Sequence, residues 1–498
     1  MRGQPVRYID FRGGLNTLDS DYLVGENECR DCRNMVSTTR GSIRKRDGHT
    51  TFSSSFTGSP TSILSLYPVE IAGTITLLAT AGTKIHTISS VGVNADITAA
   101  LTLTAGTRWD FAQAPAAASQ GPVYAVNGTD APIQWTGSGN AAAWTKSGGG
   151  EPPIGGSSSD RPQFIAAWEN RVYLARSANN RSRIWWSDVG NPNSWPTANV
   201  TDLDPNDGEE ITGMGRVGPY LLVFKRTKTF LIYDSDTSAN RVLSGSIGCI
   251  ANRSIVETPM GTMWLSLGEG VVVTNGQTVK TVSQKIQPTL DAAVFAGSAA
   301  NAAAAWFNSH YYLAFSSAGG GNDLLFDFDS QLDSWWLHST ALNDLAVVPA
   351  PSASALYGAE VNAGRVSKLF VPDATQDNGA TFPAYWLGPW LSFGEPYRLK
   401  RVREVNFDGS GFVTVGVGRD FGEAQDFASF RFVQDTGTFG GDGTFGGSGY
   451  FGGSGASTQR ASIFTPGVAR SWSLKLTTQQ DDQTEIDSIT WLIQKRTD

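Results

Sequence analysis

Apolar and polar residues alternate with a period of two along much of the chain, in short runs bounded by Asn, Gly and Ser. The clearest example is Pro162–Asp188, with the sequence PQFIAAWENRVYLARSANNRSRIWWSD. Two runs rich in Val, Tyr and Trp flank a turn at Asn170, and a third run follows a polar loop. Such alternation is typical of antiparallel strands and not of helices. The stretch therefore predicts a small antiparallel sheet.

Variations on this unit recur along most of the chain. We count seven such segments between residues 60 and 372, spaced by roughly 30 to 50 residues, which is typical of propeller blades. Stacked blades bury both faces of each sheet, which accounts for the 15 Trp. We predict an all-β fold with a β-propeller of six to seven blades over residues 53–375. A series of β-sandwiches is the alternative.

The pattern changes on either side of the predicted propeller. Longer, cleanly alternating runs after Tyr385 predict a C-terminal antiparallel β-sandwich over residues 376–498. Residues 1–52 predict an extended N-terminal arm. Within that arm we expect one helix, between Glu26 and Met35, and a basic hairpin over Arg40–Gly48.

Three near-copies of one Phe-Gly-Gly hexapeptide form an insertion at 438–455 in the predicted sandwich. Backbone entropy prevents a segment so rich in glycine from building a core of its own. Its phenylalanines, Phe439, Phe445 and Phe451, predict either a loop that packs back onto the sandwich or a loop that orders against a partner.

Composition narrows the possible functions. Charged residues make up 17% of the 498, and the net charge is −8, which argues against a general nucleic-acid binder. The chain has no apolar run long enough to span a membrane and no secretory signal at its start, so we expect neither. Three cysteines provide no disulfide framework and fit synthesis in a reducing cytoplasm.

Candidate chemistry is sparse. The chain has four histidines and none of the common hydrolase, metalloprotease or phosphate-loop motifs. Cys29 and Cys32 form a C-x-x-C without a second pair of ligands. The acidic loop Asp202–Glu210 is either a calcium loop with incomplete spacing or a solvated loop between blades. We therefore expect no enzyme activity, no cofactor and no bound metal.

The residues Phe11–Asn16 (FRGGLN), Glu26–Glu28 (ENE), Asn34 and Gly41–Gly48 (GSIRKRDG) resemble the opening of tailed-bacteriophage virion proteins, where a similar arm precedes a β-propeller. Later stretches similar to the same group are Trp168–Tyr173, Trp186–Asp188, Gly248–Cys249 and Trp386–Gly388.

The resemblance is to the tail nozzle or stabilisation proteins of short-tailed phages. It implies a structural protein of the virion tail that forms a homo-oligomer, a hexameric ring, below the head-to-tail adaptor. Such a ring would extend the DNA channel, without sequence-specific DNA binding, and help to retain and release the genome. The Phe-Gly-Gly insertion and the lack of a large fibre-docking domain leave a hub or baseplate position open.

On this interpretation the cations Arg40, Arg44, Lys45 and Arg46 would tether the arm to an adjacent subunit or to the ring above; otherwise they belong to a solvated loop. The alternative function is a receptor-binding tail protein that stacks sugars on exposed tryptophans. The candidates for such stacking, or for blade core, are Trp135, Trp144, Trp195 and Trp390.

Overall fold

The computed structural model of the chain describes residues 4–56, 58, 60, 62–115, 120–147, 154–235, 239–295, 299–317, 320–349, 353–432, 459–463, 468–479 and 481–495. The insertion residues Phe439, Phe445 and Phe451 lie outside these ranges. The chain divides into two compact units. The propeller unit comprises Thr50–Asp327 and Ser339–Leu369, and the terminal unit comprises Met1–His49, Phe328–His338 and Phe370–Asp498.

Seven four-stranded sheets form a seven-bladed β-propeller, which confirms the predicted fold class. Blade one consists of Ile63–Ile71, Thr74–Ala81, Lys84–Ile88 and Asn94–Asp96, and blade two of Asp110–Pro115, Gln120–Val126, Ile133–Trp135 and Ala142–Ala143. Blade three consists of Phe164–Trp168, Arg171–Ala175, Arg183–Trp186 and Val200–Asp202. Blade four consists of Ile211–Val217, Tyr220–Lys225, Thr229–Ile232 and Asn240–Ser244. Blade five consists of Val256–Thr258, Gly261–Ser266, Gly270–Thr274 and Val279–Thr281. Blade six consists of Ala303–Phe307, His310–Phe315, Leu324–Asp329 and Ser334–His338. Blade seven consists of Leu342–Val348, Ala355–Glu360, Val366–Lys368 and Thr50–Thr51.

The last blade takes its fourth strand from the start of the propeller sequence. Thr50–Thr51 pairs antiparallel with Val366–Lys368. Blade seven also shares a hydrophobic cluster with blade one, in which Ile63 and Leu66 pack with Ala346 and Tyr357. The first and last blades are therefore joined by both hydrogen bonds and apolar contacts, and the ring of blades is closed.

The stretch that predicted the blade pattern forms blade three. Phe164–Trp168 pairs with Arg171–Ala175, and Trp168 lies opposite Arg171. Glu169 and Asn170 both have positive φ, 45° and 59°, as a two-residue type I′ hairpin turn requires. All five residues of Arg171–Ala175 are buried, because this strand is covered on both faces by neighbouring blades.

Helices are few in the described chain. They comprise the α-helix Gln287–Phe295 and the 3₁₀ turns Ser158–Asp160, Asn252–Ser254, Gln284–Ile286 and Ala299–Asn301. Within the described ranges, none is long and apolar enough to cross a membrane.

The helix predicted between Glu26 and Met35 is wrong. The segment instead forms three short strands, Glu28–Cys29, Asp31–Arg33 and Met35–Ser37. The buried residues Cys29, Cys32 and Met35 recur every third position, as on a helix, because Arg30 and Asn34 interrupt the strands between them. Asn34 has a φ of 57°, which a right-handed helix does not allow.

The terminal unit is built on an antiparallel sheet. Its 20-residue strand Lys400–Arg419 pairs with Glu485–Lys495 over its first half and with Trp472–Thr478 over its second. The other strands of this sheet are Gln4–Tyr8, Asp31–Arg33, Met35–Ser37, Ile43–Lys45, Ala384–Leu387, Gln425–Phe432, Gln459–Ile463 and Val468–Ala469. Gly14–Leu15 and Glu28–Cys29 form a separate two-stranded parallel sheet.

The N-terminal segment is extended, as predicted, but it is part of this sheet and not a separate arm. Gln4–Tyr8 pairs with residues 489–493 of the last strand, and Ile43–Lys45 pairs with residues 485–486 of the same strand. Asp31–Arg33 pairs with Ala384–Leu387. A hairpin forms here, but its strands are Met35–Ser37 and Ile43–Lys45, so it begins before the predicted stretch Arg40–Gly48.

Candidate functional site

Arg46, predicted to contact a partner, lies inside the terminal unit. Its side chain is 1% exposed and forms an ion pair with Asp377. Its Nε donates a hydrogen bond to Oδ1 of Asn34 at 3.0 Å, and its guanidinium lies 4.0 Å from the ring centre of Phe382. Arg46 therefore binds residues of its own chain, and its contact with another subunit stays a prediction.

Lys45 is buried beside it. Its Nζ donates to the backbone oxygen of Thr375 at 3.0 Å and lies 4.1 Å from the ring centre of Phe382. Burial lowers the pKa of Lys45. Lys45 also binds residues of its own chain, and its contact with a partner stays a prediction.

The other two predicted cations lie nearer the surface. Arg44 is half-buried and donates two hydrogen bonds to Asp47, both of 3.0 Å. Arg40 is exposed. Of the four cations, Arg40 is thus the one that the fold presents fully to solvent. Sequence reasoning missed the internal role of Lys45 and Arg46 because their acceptors, Thr375 and Asp377, lie more than 300 positions away in the chain.

The acidic loop Asp202–Glu210 folds onto a buried lysine of blade four. The Nζ of Lys225 donates three hydrogen bonds, to Oδ1 of Asp207 at 2.7 Å, to the backbone oxygen of Asp204 at 2.8 Å and to Oγ of Ser182 at 3.0 Å. These three acceptors match the three N–H groups of the ammonium, so the buried charge is paired and fully hydrogen-bonded.

The remaining carboxylates of this loop also have protein donors. The pairs are Asp202 with Arg183, Asp204 with Lys228, Glu209 with Thr227, and Glu210 with Arg176. In the described part of the chain, no group of three or more His, Cys, Asp or Glu side chains could hold a metal ion. The loop connects blades three and four, its carboxylates are ion-paired, and Asp202, Asp204 and Gly208 are exposed, which fits the solvated-loop interpretation.

Cys29 and Cys32 are both buried and free. The Sγ of Cys29 donates to the backbone oxygen of Gly14 at 3.4 Å, and burial raises the pKa of its thiol well above the ordinary value. A thiol held protonated is a poor nucleophile and a poor metal ligand. This pair is therefore part of the packing of the terminal unit.

The tryptophans proposed for sugar stacking separate into two groups. Trp135, Trp144 and Trp195 are buried at 7% exposure or less and belong to blade clusters. Trp390 is partly exposed, but Arg30 lies 4.9 Å from its ring centre and Phe421 lies 4.8 Å from it. The three buried rings have no face available to a sugar, so they are blade core.

Sequence reasoning missed a cavity of about 880 Å³ in the propeller unit. We call it the axial cavity. Its lining residues include the starts of the first strands of blades two, three and four, and residues just before the first strands of blades five and six. The first strands of neighbouring blades contact one another, which places them around the central channel. Its charged lining residues are Arg108, Asp110, Arg176, Arg181, Glu209, Glu210, Arg226 and Arg253.

Hydrogen bonds of Asp110 and Arg253, which line this cavity, and of Asp344 join different blades. Oδ2 of Asp110, in blade two, accepts the N–H of Ile165 of blade three at 3.0 Å. Oδ2 of Asp344, in blade seven, accepts the N–H of Leu66 of blade one at 2.7 Å. Arg253 donates to Oδ1 of Asp344 at 3.2 Å and to the backbone oxygen of Leu66 at 2.7 Å. These bonds fix the relative positions of the inner strands.

Burial raises the pKa of Asp110 to about 6. The opposing influences, the Ile165 N–H and the charge of Arg253, lower it by less than burial raises it. Perturbed carboxyl groups inside a cavity are common at binding sites. The signal available in the sequence was Arg108-Trp109-Asp110-Phe111, where charged residues alternate with aromatic ones at the start of a strand.

No protein-family model and no curated protein matches the chain. Solved structures similar to it include the computationally designed Ika8 protein, with 10% identity over 65% of this chain and 100% of that chain at a TM-score of 0.38. The extracellular domain of a hybrid two-component system from B. thetaiotaomicron has 8% identity over 80% of this chain and 58% of that one, at 0.41. A gluconolactonase from Xanthomonas campestris has 12% identity over 69% and 97%, at 0.32. Likeness at this level carries no argument about function.

Proposed function

We propose that the chain is a structural protein of a tailed-bacteriophage tail, a subunit of a homo-oligomeric nozzle ring. In this proposal a ring of six copies extends the DNA channel below the head-to-tail adaptor and helps to retain and release the genome. The chain has no catalytic role in it. Support comes from the residues that carry the resemblance and from apolar side chains that the N-terminal segment exposes.

The residues of the N-terminal resemblance each have a structural role. Gly14 has a φ of 71°, and a Cβ there would lie 2.7 Å from the backbone oxygen of Trp335. A Cβ on Gly13 would lie 2.6 Å from the backbone oxygen of Asn27. Asn16 donates to Glu28 at 2.7 Å and to Asp19 at 2.8 Å. Only glycine fits the first two positions without a shift of the backbone.

Asn34 and the Gly41–Gly48 stretch have equally specific roles. Nδ2 of Asn34 donates to the backbone oxygen of Pro383 at 2.7 Å, and its Oδ1 accepts from Arg46. Gly48 donates its N–H to the backbone oxygen of Ala374 at 2.6 Å. The resemblance therefore lies in residues that determine how the terminal unit folds, which supports a shared architecture with the virion proteins.

The observation that carries the ring proposal is the apolar surface of the N-terminal segment. Of the 15 exposed large hydrophobic residues in the described chain, five fall between positions 6 and 23. Tyr22 and Leu23 are 67% and 72% exposed, and the ring of Tyr22 lies 3.8 Å from that of Phe421, which is itself exposed. Clustered exposed apolar side chains mark protein interfaces, and in this proposal the partner is a second copy of the chain.

The charge of the chain suits a DNA conduit. A net charge of −8 gives each subunit a field that repels phosphates, so DNA could pass through a ring lumen without being held. The proposal requires contact with the adaptor or other tail proteins and no sequence-specific DNA contact.

Purified virions test the proposal. Peptides of this chain should be found in density-gradient-purified particles of the phage that encodes it. Particles assembled without the chain should contain less packaged DNA than particles assembled with it. A chain that is missing from purified particles, or particles that keep their DNA without it, would exclude the nozzle role.

A further inference from the structure

We propose that the axial cavity of the propeller binds a small organic phosphate. The inference is independent of the virion proposal, because it depends only on the side chains inside the propeller unit. It follows from three properties of the cavity: guanidinium groups that form no ion pair or hydrogen bond with another described residue, an excess of positive charge, and a volume and lining suited to a small molecule.

Two of the five arginines in the lining are already paired. Arg176 forms an ion pair with Glu210 at 2.7 Å, and Arg253 is bound to Asp344. Arg108, Arg181 and Arg226 form no ion pair and no side-chain hydrogen bond with another described residue. Three guanidinium groups around one cavity therefore keep their donors free for a ligand.

Arg108 gives the strongest indication. Its Nη1 is buried and has no hydrogen-bond partner among the described residues. Burial lowers the pKa of its guanidinium, against the attraction of Asp344. A buried cationic donor without an acceptor is costly, so such a group in a native fold calls for a ligand or ion that the protein itself does not supply.

The lining of the cavity has a net positive charge, opposite in sign to the net charge of the chain. Five arginines and three carboxylates line the cavity, Asp110, Glu209 and Glu210 being the acidic ones. Arg253 is bound to Asp344, which is a fourth carboxylate. With Asp344 counted, the five arginines exceed the carboxylates by one positive charge, in a protein whose net charge is −8. An excess of guanidinium in an acidic protein selects anions.

Size and chemistry favour a phosphate ester. A volume of about 880 Å³ lies within the range of small-molecule sites, and Trp109, Phe164, Ile250 and Leu267 provide apolar wall for an organic portion. A phosphate offers three strong acceptor oxygens and nearly two negative charges, so it can engage several guanidinium groups at once, whereas one carboxylate has only two oxygens.

Isothermal titration calorimetry on the full chain, with AMP as the probe, tests the inference. We expect AMP to bind at one site per chain and adenosine, which lacks the phosphate, to bind at least tenfold more weakly. Arg108→Gln should weaken AMP binding at least tenfold. Arg403→Gln, which removes the same charge from an exposed position in the terminal unit, should bind AMP like the wild type.

Thermal unfolding without AMP distinguishes a ligand-binding arginine from a structural one. Because Arg108 lacks a partner, Arg108→Gln should unfold at the same temperature as the wild type or higher, whereas loss of a structural arginine would lower it. If Arg108→Gln does not fold, Arg226→Gln, at an exposed position of the cavity lining, provides the same binding test. AMP binding equal to that of adenosine, or unchanged by the substitution, would overturn the proposal.

Discussion

Arg46 donates two hydrogen bonds to the carboxylate of Asp377, from Nη1 at 3.0 Å and from Nη2 at 2.7 Å. The two residues lie 331 positions apart, and the bond joins the N-terminal segment to the C-terminal part of the terminal unit. Replacing Arg46 with Met would remove its two hydrogen bonds to Asp377 and its hydrogen bond to Oδ1 of Asn34. We expect a loss of about 3 kcal/mol in unfolding free energy.

Urea unfolding of Arg46→Met measures this loss, with Arg40→Met as the control. Arg40 is exposed, so its replacement should change the unfolding free energy by less than about 0.5 kcal/mol. Equal effects of the two substitutions would contradict the internal role of Arg46.

Deleting residues 1–48 should loosen the last strand of the chain. Gln4–Tyr8 and Ile43–Lys45 both pair with Glu485–Lys495, so the deletion removes two of its neighbours. Hydrogen exchange should show faster exchange in residues 485–495 and unchanged exchange in blade seven, which keeps Thr50–Thr51. Unchanged exchange in residues 485–495 would show that the N-terminal segment is a dispensable arm.

Lys225 and Lys228 both bind carboxylates of the acidic loop, Lys225 from a buried position and Lys228 from a more exposed one. The Lys225 side chain is fully buried, and its removal in Lys225→Met leaves Asp207 and two other acceptors without its three N–H groups. We expect Lys225→Met to cost about 3 to 5 kcal/mol of unfolding free energy. Lys228 is 25% exposed, and Lys228→Met should lower the unfolding free energy far less than Lys225→Met does. Similar costs in urea titrations would contradict the structure.

Asp110 should make stability depend on pH. Burial raises its pKa from an ordinary 3.8 to about 6, so its contribution to stability is fully present below about pH 4 and is lost as the pH rises through 6. Arg253 is the charged group that acts on the pKa of Asp110. Asp110→Asn still accepts the Ile165 N–H and does not titrate. Between pH 4 and 7 it should gain on the order of 2 kcal/mol relative to the wild type.

Asp96 provides the control, because its pKa is shifted in the direction opposite to that of Asp110. Burial acts to raise its pKa, but hydrogen bonds from Thr98 and Lys84 prevail and lower it to about 2. Its contribution is therefore present above about pH 4 and is lost as the pH falls toward 2. Unfolding curves at several pH values should show opposite trends for Asp110→Asn and Asp96→Asn, and parallel trends would contradict the assignment.

The apolar surface at Tyr22 and Leu23 should be needed for assembly. The double replacement Tyr22→Ser, Leu23→Ser should reduce ring formation at least tenfold while leaving the unfolding temperature unchanged, because both side chains are exposed. Val91→Ser with Val93→Ser, at 80% and 60% exposure in the propeller unit, is the matched control. Sedimentation velocity would show whether the two double variants assemble equally, in which case this surface is not the interface.

The propeller could be predicted because its local signals agree with the fold. In blade three, alternation, the Glu169-Asn170 turn and buried aromatic residues all indicate the same hairpin. Between Cys29 and Met35 the signals disagreed. Arg30 and Asn34 lie between short strands, so the buried residues Cys29, Cys32 and Met35 recur at every third position, as they would on a helix. A local pattern identifies structure only where it is uninterrupted.

The sites were harder to predict, because they depend on contacts distant in sequence. Lys45 and Arg46 form a basic run in the sequence, and the acceptors that bury them lie at Thr375 and Asp377. The axial cavity combines Arg108, Arg181 and Arg226 from different blades. No spacing rule relates these positions, so only the closed ring of blades brings them together.

The mass of the assembled protein tests the central claim most directly. Native mass spectrometry should be applied to the full chain, alone and mixed with extract of the phage tail. The ring proposal predicts a species of six copies of the 53.2 kDa chain, formed alone or on addition of tail components. A chain that stays monomeric under both conditions would contradict it.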